Sequence, residues 1–226
     1  MGRWNLTAKQ VQEFKETEIG KIPVDWEVTE LENVCVKVTD GSHSSPKQIT
    51  SGNKRIASVK DIENDDFNFN SCKIISDEDF EQLERNGCKP IENDIIFSKD
   101  GTMGLTFVYK NIKDLVLLSS IAIIRPNSEI NSYFLNFYLR NKKIQNFLIS
   151  GHSSGSALPR IVLKDLKKLS VIVPKIGEQE RIVKILYPLD TKISNLQKQN
   201  RTLEETAQTI FQSWFVNFDG VTEFED

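Results

Sequence analysis

The sequence predicts an α/β (α+β) globular domain followed by a long C-terminal α-helix. Two patterns carry this. Between Trp26 and Val173, short β-branched runs alternate with turn residues and amphipathic stretches. Between Ile182 and Trp214, apolar residues recur in an unbroken alternation of four- and three-residue steps, the pattern of a coiled-coil seam. At 226 residues, 38% of them hydrophobic, the chain can bury one good core.

Residues 1–20 are polar and read as a loose arm or short helix. Trp26–Leu31 and Val34–Val38 are strand-like, and the second ends in the polar, turn-rich run Thr39–Gln48. Ile56–Val59 is a short strand before the acidic, Asn-rich loop Asp61–Asn70. Ser76 with Asp79 reads as a helix N-cap, and Gly87 after Asn86 as its stop. Asp94–Ser98, Leu105–Tyr109 and Leu115–Ile124 read as adjacent strands. A helix follows over Asn131–Ser150, with Phe134, Phe137, Tyr138, Ile144, Phe147 and Leu148 on one face and Gly151 closing it. A second polar loop, His152–Arg160, leads through Lys164–Lys168 to the strand Leu169–Val173, which Pro174 ends. These marks give an N-terminal arm over 1–20, a globular domain over 21–175, a helix over 176–218 and an acidic tail over 219–226.

The seam positions are Ile182, Leu186, Leu189, Ile193, Leu196, Asn200, Leu203, Ala207, Ile210 and Trp214. Such a helix reaches on the order of 50 Å, and the chain has no second heptad run of comparable length. The helix therefore either folds back on its own domain or lies against a partner. The lone polar seam residue Asn200 favours a partner, because such a residue sets register and oligomer state. The mixed charges flanking the seam (Lys192, Lys198, Arg201, Glu204, Glu205) favour it too, as a solvated face. Pro188 removes one helical hydrogen bond and predicts a kink or break near Lys184–Leu189. The helix is expected to start near Gly177, with Glu178 and Glu180 at the positive end of its dipole.

The formal net charge is −3, so the whole chain carries no nucleic-acid signature, although lysine and arginine are frequent within the globular part. Three cysteines without CxxC spacing and two distant histidines argue against zinc and against a disulfide framework. MGRWNLTAKQ lacks the apolar stretch of a signal peptide, and no run approaches membrane-spanning length. These features lead us to expect a cytoplasmic protein with no membrane segment and no cofactor. GxxxxGK[ST] is absent, DGTMG at 100–104 lacks a dinucleotide-site pattern, and no Asn/Asp-Pro-Pro-aromatic tetrapeptide occurs. Asp94 and Asp100 lack the acid-x-Lys element of a metal-dependent nuclease. The chain reads as a binder and not an enzyme.

The stretch Thr17-Glu18-Ile19-Gly20-Lys21-Ile22-Pro23-Val24-Asp25-Trp26 resembles the opening of DNA specificity subunits of type I restriction–modification systems. Asp40-Gly41-Ser42-His43-Ser44-Ser45-Pro46 is similar to that family's Gly-Ser/Thr-His loop, and Gly155–Arg160 followed by Leu163–Leu166 to the motif closing its recognition domain. Pro174 with Glu178-Gln179-Glu180-Arg181-Ile182 resembles the entry to its spacer helix, and Leu203–Glu205 through Phe218 its end. The likeness covers residues 17–218; each motif is weak alone, but their order and spacing together are specific.

The resemblance implies a target-recognition domain and a spacer helix that pairs antiparallel with another. It implies a non-catalytic subunit that selects double-stranded DNA and holds methyltransferase subunits, with restriction subunits joining them. Family members carry two recognition domains and two spacer helices, whereas this sequence carries one of each. The resemblance is to a half-size form, and two copies joined through Leu189, Ile193, Leu196, Asn200, Leu203, Ala207, Ile210 and Trp214 rebuild the whole as a homodimer reading a bipartite palindrome. A fragment or silent cassette of a full-length subunit is the competing explanation. An oligomerising protein-interaction module is the other.

Base edges call for short polar side chains on loops, and phosphates for lysine and arginine. The candidate DNA-binding residues are Ser42, His43, Ser44, Ser45, Lys47 and Gln48 in the first loop, and Ser153, Ser154 and Arg160 in the second. Lys54, Arg55, Lys99 and Thr102 form a further set, and Lys164, Lys167 and Lys168 are candidate phosphate contacts. Both loops are also readable as ordinary turns, rich in Gly and Ser for conformational reasons.

Overall fold

A computed structural model describes residues 13–110, 113–150 and 160–219. The chain divides into two compact units, Met1–Ile182 and Val183–Asp226. The first opens with a hairpin, β1 (Phe14–Thr17) and β2 (Gly20–Pro23), where the sequence suggested a loose arm or short helix. The reason is local. Glu18 and Ile19 make a two-residue turn closed by Gly20 at φ 124°, and the last two residues of β2, Ile22 and Pro23, are buried.

β3 (Glu27–Glu30) pairs antiparallel with the last strand of the unit, Ser170–Val173. Between them lie β4 (Cys35–Asp40), β5 (Arg55–Ala57), and a small hairpin of β6 (Ile62–Glu63) with β7 (Asp66–Phe67). That hairpin turns through Asn64 and Asp65 at φ 52° and 57°, the positive-φ pair that a two-residue hairpin of this hand requires. After β8 (Lys73–Ile74), α1 (Asp77–Arg85) is capped by Ser76, whose Oγ accepts from the Asp79 amide at 3.1 Å, and stopped by Gly87 at φ 78°, as its sequence predicts.

β9 (Ile95–Ser98), β10 (Thr106–Val108), β11 (Leu115–Leu117) and β12 (Ile121–Pro126) follow. The main sheet is antiparallel in the order β10-β9-β12-β4. Every residue of β9 and β10, and the first four of β12, are buried, which explains why they read as unbroken apolar runs without alternation. A second sheet has the order β11-β5-β8, with β11 and β5 parallel. The sequence suggests one strand over Leu115–Ile124, and the structure divides it. Ser119 and Ser120 interrupt the apolar run, Ile121 N–H closes a turn on Leu118 O at 3.0 Å, and the halves join different sheets.

The expected helix 131–150 is likewise two, α2 (Ser132–Leu139) and α3 (Lys142–Ser150). Each has its own asparagine cap: Asn131 accepts from Tyr133 and Phe134 amides, and Asn141 from the Lys143 amide at 2.9 Å. Then come α4 (Leu163–Lys167), β13 (Ser170–Val173) and α5 (Ile176–Phe215). α5 is one continuous helix with Pro188 inside it, so the break expected at that proline does not occur.

The first turn of α5 is held in the first unit by two side chains. Glu178 accepts from Trp26 Nε1 at 3.0 Å. Gln179, fully buried, accepts from Asn131 N–H at 2.7 Å and donates to Glu129 O and Pro174 O. In the second unit the seam positions Leu189, Ile193, Leu196, Leu203, Ile210 and Trp214 are all between 44% and 66% exposed. Asn200 and Ala207 are exposed as well.

Burial pushes the Cys35 and Cys72 thiols up to about 12, and Cys88 in the same direction. A thiol whose pKa is higher folded than unfolded stabilises the fold below its unfolded value of 9.0. That contribution is lost as pH climbs from there toward 12. In the native chain, Cys72 and Cys88 therefore react with a disulfide reagent at pH 8 at least about 100-fold more slowly than in guanidinium, and the melting temperature falls between pH 9 and 11. Absorbance kinetics with the reagent and a pH series of melts check both.

Candidate nucleic-acid interface

At one end of the main sheet, β4 finishes at Asp40 opposite Ala122, and β9 at Ser98 opposite Ile121. The loops that leave these strands therefore emerge side by side. Gly41 N–H donates to Ile121 O, Ser42 N–H to Leu117 O at 2.7 Å, and Ser119 N–H to Ser42 O. A Cβ at Gly41 would stand 2.2 Å from Leu117 O, so backbone approach alone demands glycine here.

Ser42 is buried and serves the turn, its Oγ donating to Ser44 O at 2.6 Å and accepting from Ser44 N–H at 3.1 Å. His43, Ser44, Ser45, Lys47 and Gln48 are exposed. Lys73, which the sequence reading did not single out, braces the loop by donating to Ser45 Oγ at 3.0 Å and to Pro46 O. Its place two residues before Ile75 in a weak strand gave no signal of that role.

The β9–β10 turn is held as firmly. Ser98 Oγ donates to Thr102 O and accepts from Leu105 N–H, and Gly104 O accepts from Gln145 Nε2 of α3 at 2.7 Å. Thr102 is exposed at its tip. Lys99 N–H donates to Ser120 O, and Lys99 O accepts from Ile161 N–H at 2.9 Å, which brings the exposed Arg160 to the same end. The sequence offered Lys99 to a phosphate or base. The structure buries it to 2% exposure with Nζ 2.7 Å from Asp40 Oδ1, so its charge is spent inside the fold.

Lys54 and Arg55 lie at the start of β5, where Arg55 pairs with Ile74 of β8, the neighbour of Lys73. Lys54 pairs with Asp114 at 3.0 Å and lies over the Phe80 ring; the Asp114 hydrogen bond raises its pKa. Arg55 donates to Gly52 O and Lys54 O and covers Phe69. On α4, Leu166 is buried, Lys164 and Lys168 are exposed and Lys167 is half-buried. Ser153 and Ser154 lie outside the described residues. The main-sheet end thus gathers the first loop, Thr102 and Arg160, a surface of short polar and forked donors over a hydrogen-bonded base, suited to reading polar edges of a rigid ligand.

The description "Type I restriction modification DNA specificity domain" fits residues 23–205. The MjaIX specificity subunit of Methanocaldococcus jannaschii is 28% identical over 92% of this chain and 48% of its own length. The HindI specificity subunit of Haemophilus influenzae is 29% identical over 68% of this chain and 34% of its own. This chain spans about half the length of the curated relatives it matches over most of its length. Its fold is similar to the HsdS subunit from Thermoanaerobacter tengcongensis, with TM-score 0.56, 19% identity, and coverage of 89% of this chain and 47% of that one. It is also similar to the type I restriction–modification S subunit from M. genitalium, with TM-score 0.59, 17% identity, and coverage of 87% and 47%. With the family description fitting well over half of the sequence, and the fold agreeing, the chain belongs to the type I restriction–modification DNA specificity domain family.

Proposed function

We propose that the chain recognises DNA sequence for a type I restriction–modification system, as a binding subunit and not a catalyst. The observation that carries this reading is the convergence of exposed polar side chains from the 41–48 loop, the 99–105 turn and Arg160 at one end of the main sheet. Their bases are fixed by backbone hydrogen bonds, so donors and acceptors are presented at set positions, as direct readout of base edges requires. Lys164, Lys167 and Lys168 supply phosphate contacts that set affinity without sequence information.

The exposed seam of α5 supports association with a second copy, because six large apolar side chains in a/d positions gain most when paired with a like helix. Two copies related by a twofold read two inverted half-sites at a spacing the helix pair fixes. The assembled subunit also presents docking surface for methyltransferase and restriction subunits.

Substituting Lys167 and Lys168 together by alanine is expected to weaken binding to all duplexes alike and to reduce the slope of log K against log salt by about 2. Alanine at Ser44 or Gln48 is expected to cost about tenfold on the preferred duplex and little on random sequence. Fluorescence anisotropy on both duplexes at several salt concentrations separates the two classes. Equal losses on target and random DNA for the loop variants contradict base readout by this loop.

A further inference from the structure

Two ion pairs involving a buried residue bracket the central strands of the main sheet, and they differ in what they hold. At one end Arg125 makes a two-pronged pair with Asp94, Nε and the second guanidinium nitrogen each 2.8 Å from a carboxylate oxygen. Asp94 also accepts from Ile91 N–H, so this pair closes a tight turn far from the polar loops. At the other end Lys99 meets Asp40, and each belongs to the root of a different loop. Lys99 is the one buried lysine or arginine among the described residues.

We propose that Asp40 and Lys99 are positioning residues for sequence recognition: without touching DNA, their ion pair holds the 41–48 loop and the 99–105 turn in register. The inference rests on the reading under Proposed function and deepens it. Lys99 joins four segments at once: its side chain reaches Asp40, its N–H binds Ser120 O, its carbonyl accepts from Ile161, and its chain continues into the turn bearing Thr102. The pair has little redundancy around it. Among the described residues, Asp40 Oδ1, Asp100 Oδ1 and Ser120 Oγ are buried without a hydrogen-bond partner, so the 2.7 Å ion pair with Lys99 Nζ is the contact that compensates Asp40 Oδ1. His43 Nε2, 3.7 Å from Asp40 Oδ2, lies on a side chain that is 73% exposed and cannot replace a buried ammonium.

Neutralising Lys99 leaves the largely buried Asp40 carboxylate without its cation. Asp40 is at a strand end and 13% exposed, so it can turn to water, carrying Gly41 and the loop with it while β9 and β12 stay paired. The predicted consequence is a displaced reading surface on an intact sheet.

The test uses the full chain and a duplex pool with randomised positions, comparing wild type, Lys99→Met, the apolar pair Lys99→Met/Asp40→Leu, and Arg125→Lys. Wild type enriches a motif. Lys99→Met keeps its affinity for random duplex and its salt dependence within about twofold, while discrimination between the motif and random sequence falls at least about tenfold. The double variant, with no charge left unpaired, regains part of that discrimination, whereas Arg125→Lys lowers the melting temperature and leaves the motif unchanged.

Amide exchange supplies a readout independent of DNA: Lys99→Met speeds exchange at Gly41, Ser42 and Gly104 and leaves β9 and β12 protected. If Lys99→Met does not fold, Asp40→Asn is read by the same exchange. Wild-type discrimination in Lys99→Met overturns the proposal, and so does a uniform loss of affinity with a smaller salt slope, the mark of a direct phosphate contact. Global loss of protection in both Lys99→Met and Asp40→Asn, or a double variant as poor as the single one, overturns it too. A wild-type chain that enriches nothing removes the recognition reading itself, an outcome distinct from all of these.

Discussion

Gly41→Ala is expected to lower the melting temperature by roughly 10 °C. The added Cβ meets Leu117 O at 2.2 Å, Leu117 C at 2.4 Å and Leu118 O at 2.6 Å. All three are backbone atoms in or beside β11, so no side-chain rotation relieves the contact. Either the loop root moves away from β11, breaking the 2.7 Å bond from Ser42 N–H to Leu117 O, or β11 shifts against β5. Overpacking of this kind costs about 3 kcal/mol, and each kcal/mol corresponds to about 2–4 °C in a chain of this length. Gly101→Ala makes an informative comparison. It has open space for a Cβ but sits at φ 68°, so its cost is the backbone term alone, about 1 kcal/mol. Thermal melts of the two variants should rank them clearly, and a Gly41→Ala melt within 2–3 °C of wild type would contradict the close approach.

The second large effect concerns α5. Leu196→Lys with Leu203→Lys is expected to convert an associated chain to a monomer at micromolar concentration while leaving the first unit folded. Both leucines are exposed in the single chain, at 45% and 66%, so the monomer loses little by the change. In a paired helix each leucine contributes about 1.5–3 kcal/mol by burial, and two lysines facing a seam add a desolvation cost. A twofold pair loses four leucines at once, which weakens association by at least about 1000-fold. Light scattering of both proteins measures this directly. Asn200→Leu acts in the opposite sense, tightening association and loosening its register or stoichiometry.

The sequence shows some of this architecture openly and hides other parts, for physical reasons visible in single residues. Ser76 and Gly87 mark α1 because caps are local chemistry and need no tertiary partner. The length of α5 is legible because a long helix repeats one rule for ten positions. Pro188 does not break the helix, which is continuous over Ile176–Phe215. The division of 115–124 hangs on Ser119 and Ser120, and that of 131–150 on Asn141, polar residues that a periodicity count passes over.

The loop end was partly readable. Exposed Ser, His, Lys and Gln between 43 and 48 announce a polar surface, but nothing in the sequence says that Gly41 is pressed against a carbonyl or that Lys99 is turned inward. Both facts depend on β12 lying between β4 and β9, a non-local pairing. Gln179 is hidden for the same reason. In sequence it is one polar residue in a helix start, and in the fold it satisfies groups from three other residues.

Enrichment of bound duplexes from a randomised pool by the 226-residue chain is the most direct measurement of what this protein does. The expected result is a bipartite motif of two inverted half-sites at one fixed spacing, lost when the seam carries lysines and altered when Ser44 or Gln48 is changed. A pool that emerges unchanged, or one enriched equally by the seam variant with no spacing preference, would contradict sequence recognition by a paired chain.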